Sequence, residues 1–160
     1  MSLEDHAERI DQAARRHALP VALVRAIVRV ESAGNPWAAR YEPGFYDRYV
    51  APKPVRARAP CSEQTESRLR ACSFGLMQIM GATARDIGFD GVFLTELLDP
   101  DTNLEHGCRY LAKLAHLHSA RLGYEAVAAA YNAGRPRMTE RGEWINQGYV
   151  DKIRAAGGLA

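Results

Sequence analysis

The sequence predicts a mostly α fold, and three observations carry that prediction. Apolar residues recur at three- and four-residue spacings in several segments, as one buried helix face requires. Those segments open on serine, acidic or proline residues and close on glycine. No stretch holds the period-two alternation of a half-buried strand.

Ser2 with Asp5 resembles a helix-start box, and Leu3, Ala7, Ile10 and Ala14 mark an amphipathic first helix. Pro20 suits the first position of a second helix, an apolar run that continues to Val30 and ends at Glu31; Ser32, Gly34 and Pro36 would not prolong it. From Arg40 to Arg70, four prolines, three tyrosines and many arginines leave no sustained period. Within that stretch Ala51 to Pro60 reads as an irregular loop, longer than an ordinary connection and so either a lid or a mobile insertion. A short helix is expected over Gly81 to Ile87. Asp99 before Pro100 caps a long helix whose buried stripe is Leu104, Cys108, Leu111 and Leu114. An alanine-rich helix from about Tyr124 to Asn132 stops at Gly134, and a last one lies near Gly148 to Ala156.

At 160 residues, 47% apolar and 25% charged, the chain suits one compact domain over 1–160, with an insertion at about 40–72. It is expected to act as a monomer. A formal charge of +2 is too small to suggest nucleic-acid binding. Arg25 and Arg29 interrupt the longest apolar run, so no membrane span is expected, and the charged stretch Met1 to Arg16 has no signal-peptide core. Of three cysteines, Cys108 falls on a helical stripe and reads as a buried thiol. Cys61 and Cys72 bracket a polar segment and could close a short loop, a bridge worth on the order of 3 kcal/mol if formed. Five histidines include no metal-binding spacing.

Glu31 is the residue with the most chemical content. Val24, Ile27 and Val28 share its helix face, so a carboxyl terminates an apolar stripe. Burial and the negative end of the helix dipole both disfavour its ionised form and raise its pKa. A carboxylic acid prepared this way can donate a proton near neutral pH. A surface glutamate at a frayed helix end is the competing reading.

Four ordered segments carry a family resemblance: Glu31-Ser32; Gly75-Leu76-Met77-Gln78; Ala130-Tyr131-Asn132-Ala133-Gly134; and Tyr149-Val150 with Ile153. Between the second and third stand Asp99-Pro100, Asn103-Leu104, Gly107 and Tyr110-Leu111. Together they closely resemble the soluble lytic transglycosylases, whose catalytic domain has a goose-type-lysozyme-like helical fold. The resemblance covers the chain from about Leu19 to Ala155. It implies that Glu31 is the sole catalytic acid and base, with Ser32 supporting it or the substrate. Met77 and Gln78 would line a sugar groove, Tyr131 and Asn132 would face the carboxyl and an N-acetyl group, and Ser73 and Tyr149 complete the implied binding set. Met77 as core filler and Tyr131 as a packed aromatic remain the plainer readings.

The implied reaction cleaves the β-1,4 bond between N-acetylmuramic acid and N-acetylglucosamine in peptidoglycan, without water and without a cofactor. The implied partner is the glycan strand of the bacterial wall, reached on its periplasmic side, and a phage-type lysin or a cell-puncturing apparatus is the expected setting.

The chain departs from the family pattern in three places. Glu31 and Gly75 are 44 positions apart, Ala71-Cys72-Ser73-Phe74 precede Gly75 in place of a glycine-alanine turn, and Gly81 follows Met80 where proline is usual. The long spacing brings Glu42 and Asp47 near the acid in sequence. Either would make the protein an inverting muramidase if it sat roughly 6.5–9.5 Å from Glu31 and activated water. The alternative for both is surface charge. Tyr41, Phe45, Tyr46 and Tyr49 read either as a sugar-stacking platform or as the packed base of the loop. A noncatalytic wall-binding or assembly component is the third functional reading, which an intact Glu31, Gln78, Tyr131 and Asn132 argue against.

Overall fold

The computed structural model describes residues 2–159, which form seven α-helices and three short strands. Met1 and Ala160, the outermost positions of the expected domain, lie outside the described residues. No helix among the described residues is long and apolar enough to cross a membrane.

Helix α1 (Ala7–Arg16) buries Ile10, Ala13 and Ala14 against α2 (Val21–Ser32), which buries Leu23, Val24, Ala26, Ile27 and Val28. The Asp5 carboxylate accepts the Ser2 N–H at 2.7 Å, the polar contact expected at the chain's first helical turn. Helix α2 stops because Ala33 takes a left-handed cap (φ +53°) and Gly34 follows at φ +83°, where a side chain would meet the backbone of Leu3. Glu31 is thereby fixed in the last turn of a buried helix.

Strand β1 (Ala39–Tyr41) pairs antiparallel with β2 (Cys72–Phe74), and β2 with β3 (Ile79–Met80), in the order β1-β2-β3. The register sets Arg40 opposite Ser73 and Ser73 opposite Met80. These strands are two or three residues long and β1 is exposed throughout, so none could show a legible alternation. The segment with no sequence period is only partly irregular. It contains α3 (Pro43–Phe45), running into a π-helical turn Tyr46–Val50, and α4 (Glu63–Arg70), capped by the Ser62 hydroxyl at 3.1 Å from Thr65 N. Residues 51–60 between them are without helix or strand.

A buried carboxylate anchors this segment. Glu66 is 1% exposed and accepts from Arg85 at 2.8 and 3.0 Å and from Arg70 at 3.0 Å. Burial pushes its carboxyl up, but the two guanidiniums outweigh burial and hold it below the usual range. Arg85 also donates to Phe89 O and Gly91 O, tying α5 (Gly81–Asp86) to the loop beyond it. Cys61 and Cys72 are free thiols, not the bridge considered from their spacing; they donate to Ser62 O and Arg68 O.

After a 3-10 turn at Leu94–Leu98, α6 (Pro100–Ala133) starts at an Asp99 cap, whose carboxylate accepts Thr102 N at 2.9 Å, and ends at Gly134 with φ +78°. Gly123, φ +74° and ψ 178°, breaks it into the long helix and the alanine-rich helix that the sequence separates. Ala126 to Ala130 are fully buried, small side chains that bring the second half into the middle of the molecule. Helix α7 (Gln147–Ala155) closes on α2 and α6 through Val150 and Ile153. The larger apolar cluster joins α1, α2, α6 and α7; a smaller one lies between β2, β3, α5 and the 3-10 turn. Tyr110 packs against both.

Candidate active site

The residues Gly75, Leu76, Met77 and Gln78 are the connection between β2 and β3, and the rest of the molecule holds four of its backbone polar groups. Gly75 N donates to Ala38 O at 2.8 Å, Ser32 Oγ to Leu76 O at 2.8 Å, and Tyr131 Oη to Met77 O at 2.8 Å. Met77 N donates to Asn103 Oδ1 at 2.8 Å. Asn103 has no solvent exposure, and its Nδ2 donates to Phe74 O and Leu97 O, each at 2.8 Å, so one buried amide bolts the turn to α6. Gly75 stands at φ +67°, and a Cβ there would collide with Asn103 Nδ2 and Leu97 O. Glycine is therefore required for both its backbone angle and its closeness.

This turn and the end of α2 flank a groove of about 500 Å³. Its walls are Glu31; Arg40, Glu42, Phe45 and Tyr49 from the segment after β1 begins; Ser73 and Gln78 to Met80 from the hairpin; Thr83; and Tyr110 with Tyr131 to Gly134 from α6. Tyr149, from the first turn of α7, reaches Glu31 and donates its hydroxyl to Oε1 at 2.6 Å.

Burial raises the Glu31 pKa above the ordinary carboxyl value, against the Tyr149 hydrogen bond and the Arg40 charge, which both lower it. Burial and the neighbouring Glu31 charge push the Tyr149 phenol far up, and the same two causes raise Tyr131. Both phenols therefore keep their protons and are available as donors. The groove wall thus holds a carboxyl that keeps its proton unusually well and accepts from one phenol, Tyr149, while the other, Tyr131, is committed to the Met77 carbonyl.

The structure sorts the sequence-derived candidates into three groups. Glu31, Ser73, Gln78, Tyr131, Asn132 and Glu42 line one groove. Ser32 and Tyr149 stand behind it: the Ser32 hydroxyl serves the Leu76 carbonyl, and Tyr149 serves Glu31. Met77 and Asp47 are not in the groove wall. The Met77 side chain has no exposure and packs beneath Gly107, 3.9 Å from Cys108 Sγ; it fills core where a sugar contact was expected. Asp47 is exposed on the π-helical turn.

Gln78 also differs from expectation. Its Nε2 donates to Ala38 O at 3.0 Å and Gly75 O at 2.9 Å, and its Oε1 accepts the Ser73 hydroxyl at 2.8 Å. A half-buried amide at φ +47° has satisfied its own turn, leaving one lone pair for any ligand. Asn132 is more available, because only its Oδ1 is engaged, by Asn146 Nδ2 at 2.9 Å.

Sequence reasoning missed Arg40 and Thr83 in the wall, and Asn103 and Asn146 as supports. Asn103 carried a usable signal: an amide one turn from Gly107 on a buried helix face needs partners. Arg40 carried none, since its place depends on the pairing of β1 with β2.

No curated protein matches the chain. The transglycosylase SLT domain family matches over residues 8–153, and the fold is the helical, lysozyme-like one expected of it. The chain belongs to that family, the peptidoglycan lytic transglycosylases.

Proposed function

We propose that the chain cleaves the β-1,4 bond from N-acetylmuramic acid to N-acetylglucosamine with Glu31 as its only acid and base, leaving 1,6-anhydromuramoyl ends. The observation that supports this best is a carboxyl of raised pKa in a groove wall, accepting a hydrogen bond from a phenol that cannot ionise near neutral pH. Protonated Glu31 gives its proton to the glycosidic oxygen as the C1–O bond breaks. Positive charge develops at C1, and the acetamido oxygen of the same muramoyl residue supports it. Ionised Glu31, stabilised by Tyr149 and Arg40, then takes the proton of the C6 hydroxyl, whose oxygen bonds to C1. The carboxyl is protonated again, and no water is consumed. Asn132 has amide hydrogens free for the N-acetyl carbonyl.

Hydrolysis is the second reading, because Glu42 lines the same groove. An inverting hydrolase would need that carboxylate to activate water at roughly 6.5–9.5 Å from the acid. Its ion pair with Arg40, and the position of Asp47 outside the wall, favour the first reading.

Turbidity loss from purified sacculi tests the assignment. Glu31→Gln is expected to lose activity by about 10²–10⁴-fold, the usual contribution of a general acid or base. Glu42→Gln is expected to stay within about tenfold of the unsubstituted protein. Equal collapse of both variants would favour hydrolysis, and an active Glu31→Gln protein would end the reading.

A further inference from the structure

A second cavity, of about 240 Å³, adjoins the groove and shares Phe45 and Tyr49 with it. These two rings lie 5.0 Å apart between centroids, tilted by 52°, and form the ridge shared by the two cavities. Helix α5 also borders both: Thr83 lines the groove, while Ala82 and Asp86, one turn apart, line the second cavity. The remaining wall comes largely from the segment between β1 and β2, including Lys53, Val55 and Arg70. This cavity is thus the groove's continuation, built by the stretch that lengthens the spacing from Glu31 to Gly75.

Its charge is specific. Lys53 has no ion-pair partner among the described residues. Arg70 shares the single carboxylate of Glu66 with Arg85, so positive charge is left over at that corner. Asp86 supplies one anionic group to the same lining, and Val55 and Ala82 add apolar surface. A neutral sugar has no use for that arrangement. A short peptide with free carboxylates, one ammonium and small apolar side chains matches it.

We infer that this cavity holds the peptide stem carried by the muramoyl residue whose glycan lies in the groove, with Lys53 and Arg70 receiving stem carboxylates and Asp86 receiving an ammonium. This rests on the peptidoglycan reading of the groove. The stem leaves the glycan at the muramoyl residue, so an occupied groove delivers it beside the Phe45–Tyr49 ridge at high local concentration. At about 240 Å³, just under the roughly 300 Å³ of the smallest ordinary ligand pockets, the cavity has room for only a short part of a stem.

Two substrates and three proteins test the inference: intact glycan strands and strands stripped of their stems by an amidase, with unsubstituted protein, Lys53→Ala and Lys53→Glu. The readout is the ratio of kcat/KM on stem-bearing strands to that on stripped strands. The expected ratio is about tenfold or more for the unsubstituted protein, lower for Lys53→Ala and near one for Lys53→Glu. Misfolding would depress both values together and leave the ratio, so the ratio reports the cavity alone. An unsubstituted ratio near one, or a ratio unchanged by both substitutions, overturns the inference while leaving glycan cleavage intact. Cleavage of neither substrate by the unsubstituted protein overturns the peptidoglycan reading and the stem assignment with it.

Discussion

Tyr149 donates its hydroxyl to Glu31 at 2.6 Å, across 118 positions of sequence. The bond joins the first turn of α7 to the last turn of α2, so the geometry of the acid depends on the C-terminal helix being docked. It also opposes the effect of burial, because a hydrogen bond to a carboxylate favours the ionised form.

Tyr149→Phe therefore raises the Glu31 pKa further. In the proposed mechanism the acid step needs protonated Glu31, so activity is expected to fall as pH rises through that pKa, and the alkaline limb of the kcat/KM profile to move to higher pH in the variant. The ionised intermediate loses its donor at the same time. A hydrogen bond to a charged group is worth about 1.5–3 kcal/mol, which corresponds to a loss of about 10- to 100-fold in kcat. A pH–rate profile of both proteins checks the shift and the loss together; an unmoved limb would contradict the pairing.

Glu31→Gln is expected to stabilise the fold at neutral pH. A carboxyl with a raised folded pKa binds its proton more tightly folded than unfolded, so its presence lowers stability as pH rises from the ordinary value through the folded one. Glutamine has no such penalty and can still accept from Tyr149. The expected outcome is a higher Tm for the variant at pH 7 and no difference near pH 4, where both states of the unsubstituted protein hold the proton. Thermal melts at the two pH values read it directly.

Asn103→Ala removes three hydrogen bonds of 2.8 Å from a site without solvent exposure. Met77 N, Phe74 O and Leu97 O lose their buried partner. At about 1–3 kcal/mol for an unsatisfied buried group, and with some relaxation, the loss is expected to be about 3 kcal/mol. Urea unfolding measures it, and a change below about 1 kcal/mol would mean that the hairpin is held by its other contacts.

Glu66→Gln breaks a buried charge shared by two arginines. Removing one partner of such a pair costs about 3–5 kcal/mol. The same carboxylate gives the unsubstituted protein an acid-sensitive element. Its folded pKa is lowered, so its stabilising contribution is complete above the ordinary carboxyl pKa and is lost as pH falls through the folded value. Acid unfolding below about pH 4 should be steeper in the unsubstituted protein than in the variant, which has already lost the pair.

The helices and the place of Glu31 at the end of one were legible because they rest on local signals. Val24, Ile27 and Val28 placed Glu31 on a buried stripe, Asp99-Pro100 opened α6, and Gly134 closed it. The small sheet was not legible, since strands of two or three residues owe their existence to partners far along the chain. For the same reason Arg40 emerged as a groove residue only when β1 was set against β2. Met77 and Gln78 were legible as a motif but not in their orientation: one side chain turned inward beneath Gly107, and the other satisfied its own hairpin. Composition marked the segment after β1 as irregular, but the Glu66 pairing that organises α4 against α5 depends on Arg85, 19 positions away.

The most direct test of Glu31 as a lone acid and base is digestion of sacculi in water enriched in oxygen-18, followed by mass spectrometry of the released muropeptides. Ring closure by the C6 oxygen predicts ends lighter by one water and free of label, and their absence with Glu31→Gln. Reducing ends carrying one heavy oxygen would contradict the account and make a water-activating carboxylate, with Glu42 the first to substitute, the missing half of the mechanism.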